Sequence, residues 1–179
     1  MNIDYFPYLN AEALLSLKAM QSYVNDTVTL RCMLNFAKRL LNNGIVTNSQ
    51  YARICQSIVS KSFNSRGYDL VDAPANSRET GIVAEVKCYV PAGNNGLYGG
   101  NQKKQINSDV AKLTAALTAG NTAGYLTFFV LLDHNGAYTN AINNIMGKHP
   151  QLVNYTPAAV QSAKGQTTQN CIFVVRENI

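Results

Sequence analysis

Two charged residues stand inside an apolar run, Ile82-Val83-Ala84-Glu85-Val86-Lys87-Cys88-Tyr89-Val90, and a single residue separates them. In an extended strand alternate side chains share a face. Glu85 and Lys87 therefore point one way, while Ala84, Val86 and Cys88 point the other way into packing. An isolated carboxylate or ammonium in such a strand is costly unless it is paired or holds something. A partly exposed ion pair at a sheet edge is one way to meet that demand. A second carboxylate nearby suggests another. Asp69 lies in the short segment Tyr68–Asp72, flanked by Gly67 and Pro74, and the two segments read as an antiparallel hairpin with Asp69 beside Glu85. Two hard oxygen ligands on adjacent strands are half of a Mg²⁺ site, which waters and a substrate phosphate would complete. Lys87 would then stand within reach of an attacking water, an arrangement suited to hydrolysis of a phosphodiester. Asp72 competes with Asp69 for the ligand role. Asp69 is preferred because Leu70 and Val71 continue the strand after it, whereas Asp72 runs into Ala73-Pro74. Glu79, in Ser-Arg-Glu-Thr-Gly, reads as a solvated turn residue rather than a third ligand.

These residues need elements to position them. The first third of the chain has helical periodicity. Leu14, Leu15, Leu17, Met20 and Val24 predict a helix over Ala11–Val24, and Leu30, Leu34, Ala37 and Leu41 a second over Thr27–Leu41. Asn42-Asn43-Gly44 supplies C-cap chemistry, and Thr47 or Asn48 can cap a third helix over Ser49–Phe63. From Gly67 the period becomes strand-like. After the two strands comes a Gly- and Asn-rich loop, Ala92–Asn101. A helix over Lys103–Thr118 follows, with Ile106, Val110, Leu113 and Leu117 on one face. Tyr125–Asp133 (YLTFFVLLD) is nearly uninterrupted in its apolar character, as in a central strand covered on both faces. A short helix over Ala137–Met146, polar loops and a final strand Cys171–Arg176 complete the order. The reading is three helices, then ββαβαβ. It predicts an α/β (α+β) fold with a mixed central sheet, in one domain over 1–179. Within that domain a helical, basic N-terminal segment covers residues 1–66 and the core covers residues 67–179.

Composition narrows the function classes. Of the 179 residues 46% are hydrophobic, which suits a packed core, and only 14% are charged, against about 25% in an average globular chain. No apolar run is long enough to span a membrane as a helix. Met1–Asn10 carries neither the basic start nor the apolar stretch of a secretory signal, so the expectation is a soluble, cytoplasmic protein. Cys32, Cys55, Cys88 and Cys171 form no CxxC pair and read as buried thiols. Neither a GxxxxGK[ST] phosphate loop nor a GxSxG nucleophile turn is present, so no nucleotide cofactor or serine hydrolase is expected. The formal net charge is +5, and its distribution is uneven. No acidic residue lies between Asp26 and Asp69, where Arg31, Lys38, Arg39, Arg53, Lys61 and Arg66 fall. Asp69, Asp72, Glu79 and Glu85 then crowd together. A basic field beside a small acidic cluster is what metal-assisted chemistry on a polyanion requires. Lys103, Lys104 and Gln105 lie at the predicted start of a helix, where cations and backbone N–H groups can hold a phosphate.

The stretch Gly67-Tyr68-Asp69-Leu70-Val71, a turn, and then Ile82-Val83-Ala84-Glu85-Val86-Lys87-Cys88 resembles the PD-(D/E)XK, or restriction-endonuclease-like, nuclease core. There an Asp on one strand is followed on the next by an (Asp/Glu)-x-Lys tripeptide, then by a helix and a further hydrophobic strand. The resemblance covers about Gly67 to Asp133. Two features depart from the family pattern: Tyr68 stands where a Pro often precedes the Asp, and no extra strand is recognisable before the Asp strand. The resemblance implies Asp69 and Glu85 as metal ligands with the main-chain carbonyl of Val86, and Lys87 as the catalytic lysine. It also implies Mg²⁺, with Mn²⁺ as a substitute. The resulting expectation is a metal-dependent endonuclease of double-stranded DNA, most simply a restriction-type homodimer joined through its N-terminal helices. DNA would be met by Lys103, Lys104, Gln105, Arg66 and Arg53. A repair or junction-resolving nuclease fits the same residues. The rival from another class is a non-catalytic DNA-binding module with a degenerate nuclease fold, in which Glu85 and Lys87 are structural ions.

Overall fold

The computed structural model describes residues 27–60, 67–88, 96–166 and 171–178. The first described element is a helix, α1, over 27–42, which buries Cys32, Met33, Phe36, Ala37 and Leu40 along one side. Gly44, at φ +66°, ends it in the left-handed conformation. Its amide donates to Leu41 O at 3.0 Å and that of Ile45 to Leu40 O at 2.9 Å, the paired bonds of a Schellman cap. Thr47 then caps α2 (Asn48–Ser60), its hydroxyl accepting from the Gln50 amide at 3.1 Å. These are the second and third helices expected from the periodicity. The first, over Ala11–Val24, lies outside the described residues.

Among the described residues five strands form one mixed sheet. They are β1 (Leu70–Asp72), β2 (Ile82–Lys87), β3 (Leu126–Leu132), β4 (Leu152–Asn154) and β5 (Ile172–Glu177), in the order β1-β2-β3-β5-β4. Only β1 runs antiparallel to its neighbour; β2, β3, β5 and β4 are mutually parallel. The apolar run of β3 lies at the centre, every residue buried, as its composition requires. Alternation along β2, β3 and β5 sorts side chains to two faces. Ile82, Ala84, Val86, Phe128, Val130, Phe173 and Val175 pack against α1, α2 and Val160. Val83, Phe129, Leu131 and Val174 pack against α3 (Gly100–Thr118) and α4 (Thr139–Lys148). The sheet is thus covered by helices on both sides.

The order after Gly67 is ββαβαβαβ, not the ββαβαβ expected. A strand, β4, and a helix, α5 (Pro157–Ala163), occupy what reads as polar loop. Both are short and half-covered: β4 buries only Leu152 of its three residues and α5 only Val160. Such elements carry too little periodicity to register as a pattern. The N-terminus of α5 was nonetheless legible, since Thr156 accepts from the Ala159 amide at 3.2 Å and Pro157 fills the first helical turn. Helix α3 also begins earlier than expected, at Gly100 inside the Gly-rich stretch. Among the described residues, no helix is long and apolar enough to cross a membrane.

Just before β2, Gly81 presses on Tyr125, the residue preceding β3, and a Cβ built at Gly81 would come within 2.5 Å of the Tyr125 ring. Leu126 N donates to Gly81 O at 2.8 Å, so the two backbones have little room to part. Gly81→Ala is expected to cost about 1–3 kcal/mol of unfolding free energy in urea titration. Adding Tyr125→Ala should restore some of that loss, and an equal cost with and without the Tyr125 ring would disprove the contact as its cause.

Candidate active site

Alternation in β2 sends Val83, Glu85 and Lys87 toward α3, and Ala84 and Val86 toward α1 and α2. The register Leu70↔Ala84 and Asp72↔Ile82, continued by one residue, sets Asp69 opposite Glu85. Asp69 stands just before β1, and its Oδ2 accepts from the Val86 amide at 2.8 Å, extending the ladder through a side chain. The two carboxylates are thus neighbours. Glu85 is 2% exposed. Burial pushes its carboxyl up to about 7, with Lys112 pulling it back and the Asp69 carboxylate pushing it further up.

Two residues of α3 complete the cluster. Lys112 Nζ lies 2.5 Å from Glu85 Oε1, 3.2 Å from Gly67 O and 3.6 Å from Asp109 Oδ1. Burial works against its ammonium, but Glu85 and Asp109 outweigh that and hold its pKa above the ordinary lysine value. Asp109 in turn receives Lys87, with Nζ 2.9 Å from Oδ2. Charges therefore alternate from Asp69 and Glu85 through Lys112 and Asp109 to Lys87, three carboxylates against two ammoniums. Tyr68 braces the arrangement from the β1 side. Its hydroxyl donates to Lys112 O at 3.1 Å, and its ring lies 5.9 Å from Lys112 Nζ.

Asp109 and Lys112 were not singled out by sequence reasoning. A signal existed for Asp109: it falls within the stripe Ile106, Val110, Leu113, Leu117, a carboxylate on the buried side of an amphipathic helix, and it is 7% exposed. Nothing comparable marks Lys112.

Asp72 belongs elsewhere. It faces the opposite side of the sheet, where Gln50 Nε2 donates to its Oδ2 at 2.9 Å and Arg53 Nη2 reaches it at 3.2 Å. Arg53 also pairs with Glu79 Oε2 at 2.7 Å. Glu79 is not a solvated turn residue: it is buried, and accepts from the Ala75 amide at 2.9 Å and from Thr47 Oγ1 at 3.1 Å. Arg53 thus bonds two carboxylates, Asp72 and Glu79, and the turn donors Ala75 N and Thr47 Oγ1 add to its hold on Glu79. This second cluster ties α2 to the β1–β2 hairpin.

The residues expected to meet a polyanion are dispersed. Lys103, Lys104 and Gln105 are exposed in the first turns of α3, with Gln105 one turn before Asp109 on the same flank. Lys103 lies on the other flank, lining a cleft of about 90 Å³ with Asn107, Lys148 and His149 over Ile106 and Ile145. Arg53 is occupied by Asp72 and Glu79, and Arg66 lies outside the described residues. Arg39, also in the basic stretch, pairs with Glu177 at 2.9 Å. Both α1 and α2 cover the sheet face opposite Glu85 and Lys87, so Arg31, Lys38, Arg39 and Arg53 are not on the α3 side. None of the four cysteines is disulfide-bonded.

No group of three or more His, Cys, Asp or Glu suited to a metal occurs among the described residues. Asp69 and Glu85, with the Val86 carbonyl, are the oxygen donors a hard cation would find. A buried carboxylate, Glu85, that already draws an ammonium to hydrogen-bond distance, beside the half-buried Asp69, has the charge and chemistry for one. Compared with protein-family models, with curated proteins and with solved structures, the chain matches none.

The Arg53 cluster has a pH signature. Arg53, then the Ala75 amide and Thr47, hold the Glu79 carboxyl down at about 2 against burial, from an ordinary value of 4.5. A depressed carboxyl contributes stability above its unfolded pKa and loses it as pH falls toward the folded one. Glu79→Gln is expected to lower the unfolding free energy by about 1–2 kcal/mol at pH 7. The gap from wild type should narrow below pH 4.5. Denaturation curves at pH 7 and near pH 2.5 showing the same gap would remove Glu79 from that role.

Proposed function

We propose that this protein is a metal-dependent endonuclease of double-stranded DNA with a restriction-endonuclease-like core. The observation that carries the reading is the meeting of Asp69, Glu85 and Lys87 on one face of two paired strands, as the resemblance requires. The order supports it as well: an Asp beside one strand, Glu-x-Lys on the next, then a helix and the apolar strand β3. Asp69 and Glu85 would hold Mg²⁺ or Mn²⁺, together with the Val86 carbonyl. Such a cation polarises a phosphoryl oxygen and lowers the pKa of a water. Lys87 would orient the attacking water and stabilise the hydroxide left when its proton passes to solvent, and Asp109 aims the lysine. Lys103, Lys104 and Gln105 meet the phosphate backbone at the start of α3. A homodimer, joined through the N-terminal helices, brings two such sites to the two strands, and the restriction-type role is preferred to a repair or junction-resolving one.

A second reading has its own observation. Lys87 pairs with Asp109 and Lys112 with Glu85, so both ammoniums are paired within the chain, and Asp69 accepts from the Val86 amide. A non-catalytic DNA-binding module would need no more. The two readings diverge on one experiment: supercoiled, linear and branched DNA incubated with wild type, Glu85→Ala and Lys87→Ala in Mg²⁺, Mn²⁺ or EDTA. The nuclease reading expects cleavage that needs metal and is abolished by Glu85→Ala. Lys87→Ala should slow it by about 10²–10⁴-fold while leaving DNA affinity nearly unchanged. No cleavage of any substrate by folded wild-type protein, or cleavage indifferent to Glu85, would overturn it. DNA affinity that is steep in salt and indifferent to metal and to Lys87 would then identify the binding module.

A further inference from the structure

The position of Lys112 has a consequence for how a cation reaches the carboxylates, an inference that rests on the metal-dependent reading above. We infer that Lys112 is a resident counter-cation, whose ammonium holds the place a divalent cation takes against Glu85 and must leave for that cation to bind.

Three oxygens from separate segments of the chain converge on its Nζ: Glu85 Oε1 at 2.5 Å, Gly67 O at 3.2 Å and Asp109 Oδ1 at 3.6 Å. A carboxylate, a main-chain carbonyl and a second carboxylate around one centre are the donors that hard cations select. Here a side chain supplies the charge. Lys112 is also able to leave. Its side chain is 41% exposed, whereas that of Glu85 is 2% exposed. A long flexible ammonium can therefore swing toward solvent while the carboxylate stays fixed. Asp109, three residues earlier on α3, offers it a second seat.

The arrangement sets a selectivity. A monovalent cation brings no more charge than the ammonium it would replace, so it gains nothing at Glu85. A divalent cation brings twice the charge and meets Asp69 as well as Glu85, and it can displace Lys112 at the cost of a weaker affinity. Lys112 also keeps Glu85 compensated before the cation arrives, since a buried carboxylate beside another carboxylate needs a counter-charge and the Lys112 ammonium stands at hydrogen-bond distance. It is a positioning residue in this sense and need not touch substrate.

Mn²⁺ binding to the full-length chain, by calorimetry without DNA, tests this. Lys112→Met and Lys112→Gln should bind Mn²⁺ about tenfold more tightly than wild type, because the competing charge is gone. Lys164→Met, with the same change in net charge on the other side of the sheet, should bind as wild type does. Equal affinity in the Lys112 variants and wild type, or weaker affinity in the variants, would overturn the counter-cation role and leave the metal-dependent reading standing. No Mn²⁺ binding by any folded form would overturn both. A measurement on the wild type needs no substitution: Nζ acetylation of Lys112, followed by mass spectrometry, should speed up several-fold in saturating Mn²⁺. An unchanged acetylation rate in Mn²⁺-bound protein would equally count against displacement.

Discussion

Glu85 lies near the middle of an apolar strand, nearly without solvent, and Asp69 sits across the hairpin from it. A carboxylate in that position has three recourses: to become neutral, to find a cation, or to unfold its surroundings. The protein answers by packing α3 over the same face. The apolar stripe of α3 supplies the adhesion, through Ile106, Val110, Leu113 and Leu117 against Val83 and Phe129. Its flank supplies Lys112 to Glu85 and Asp109 to Lys87. Apolar and ionic demands thus fix one helix in one register. A shift of α3 by one residue would turn both charged side chains away from β2.

The two polar clusters at the ends of the β1–β2 hairpin differ in kind. Around Asp72 and Glu79 the cation is a guanidinium, a rigid fork that bonds both carboxylates at once, helped by Gln50, Thr47 and the Ala75 amide. That cluster is a fastening between α2 and the hairpin. Around Asp69 and Glu85 the cations are ammoniums on flexible stems, fewer than the carboxylates they face. Point charges that can exchange places suit a site where ions and protons move.

Sequence pattern was informative wherever a periodicity ran long enough. Helices α1 and α2, the helix α3, strands β2 and β3 and the final strand follow from spacing and caps. Period-two geometry put Glu85 and Lys87 on one face, and the hairpin brought Asp69 to them. Besides Asp109 and Lys112, the misses were of two sorts. Elements β4 and α5 bury one residue each, too few to form a stripe. The acid Glu79 looked like a turn residue because its neighbours are turn formers. Its partner Arg53 lies 26 positions away, on a helix whose docking no local pattern announces.

That distance marks the division. The chain by itself determined the longer strands and helices, which faces they bury, and that a buried Glu-x-Lys pair must be compensated, because all of these depend on neighbours in sequence. Which cation compensates Glu85 and which carboxylate receives Lys87 were decided only when α3 packed onto the sheet, while the β1–β2 register set Asp69 rather than Asp72 beside them. Lys112 is 27 residues from Glu85, and their bond exists only in the folded packing of α3 on β2. Electrostatic contacts of that kind act over a few ångströms, and the positions of their partners are set by hydrophobic docking across the whole domain.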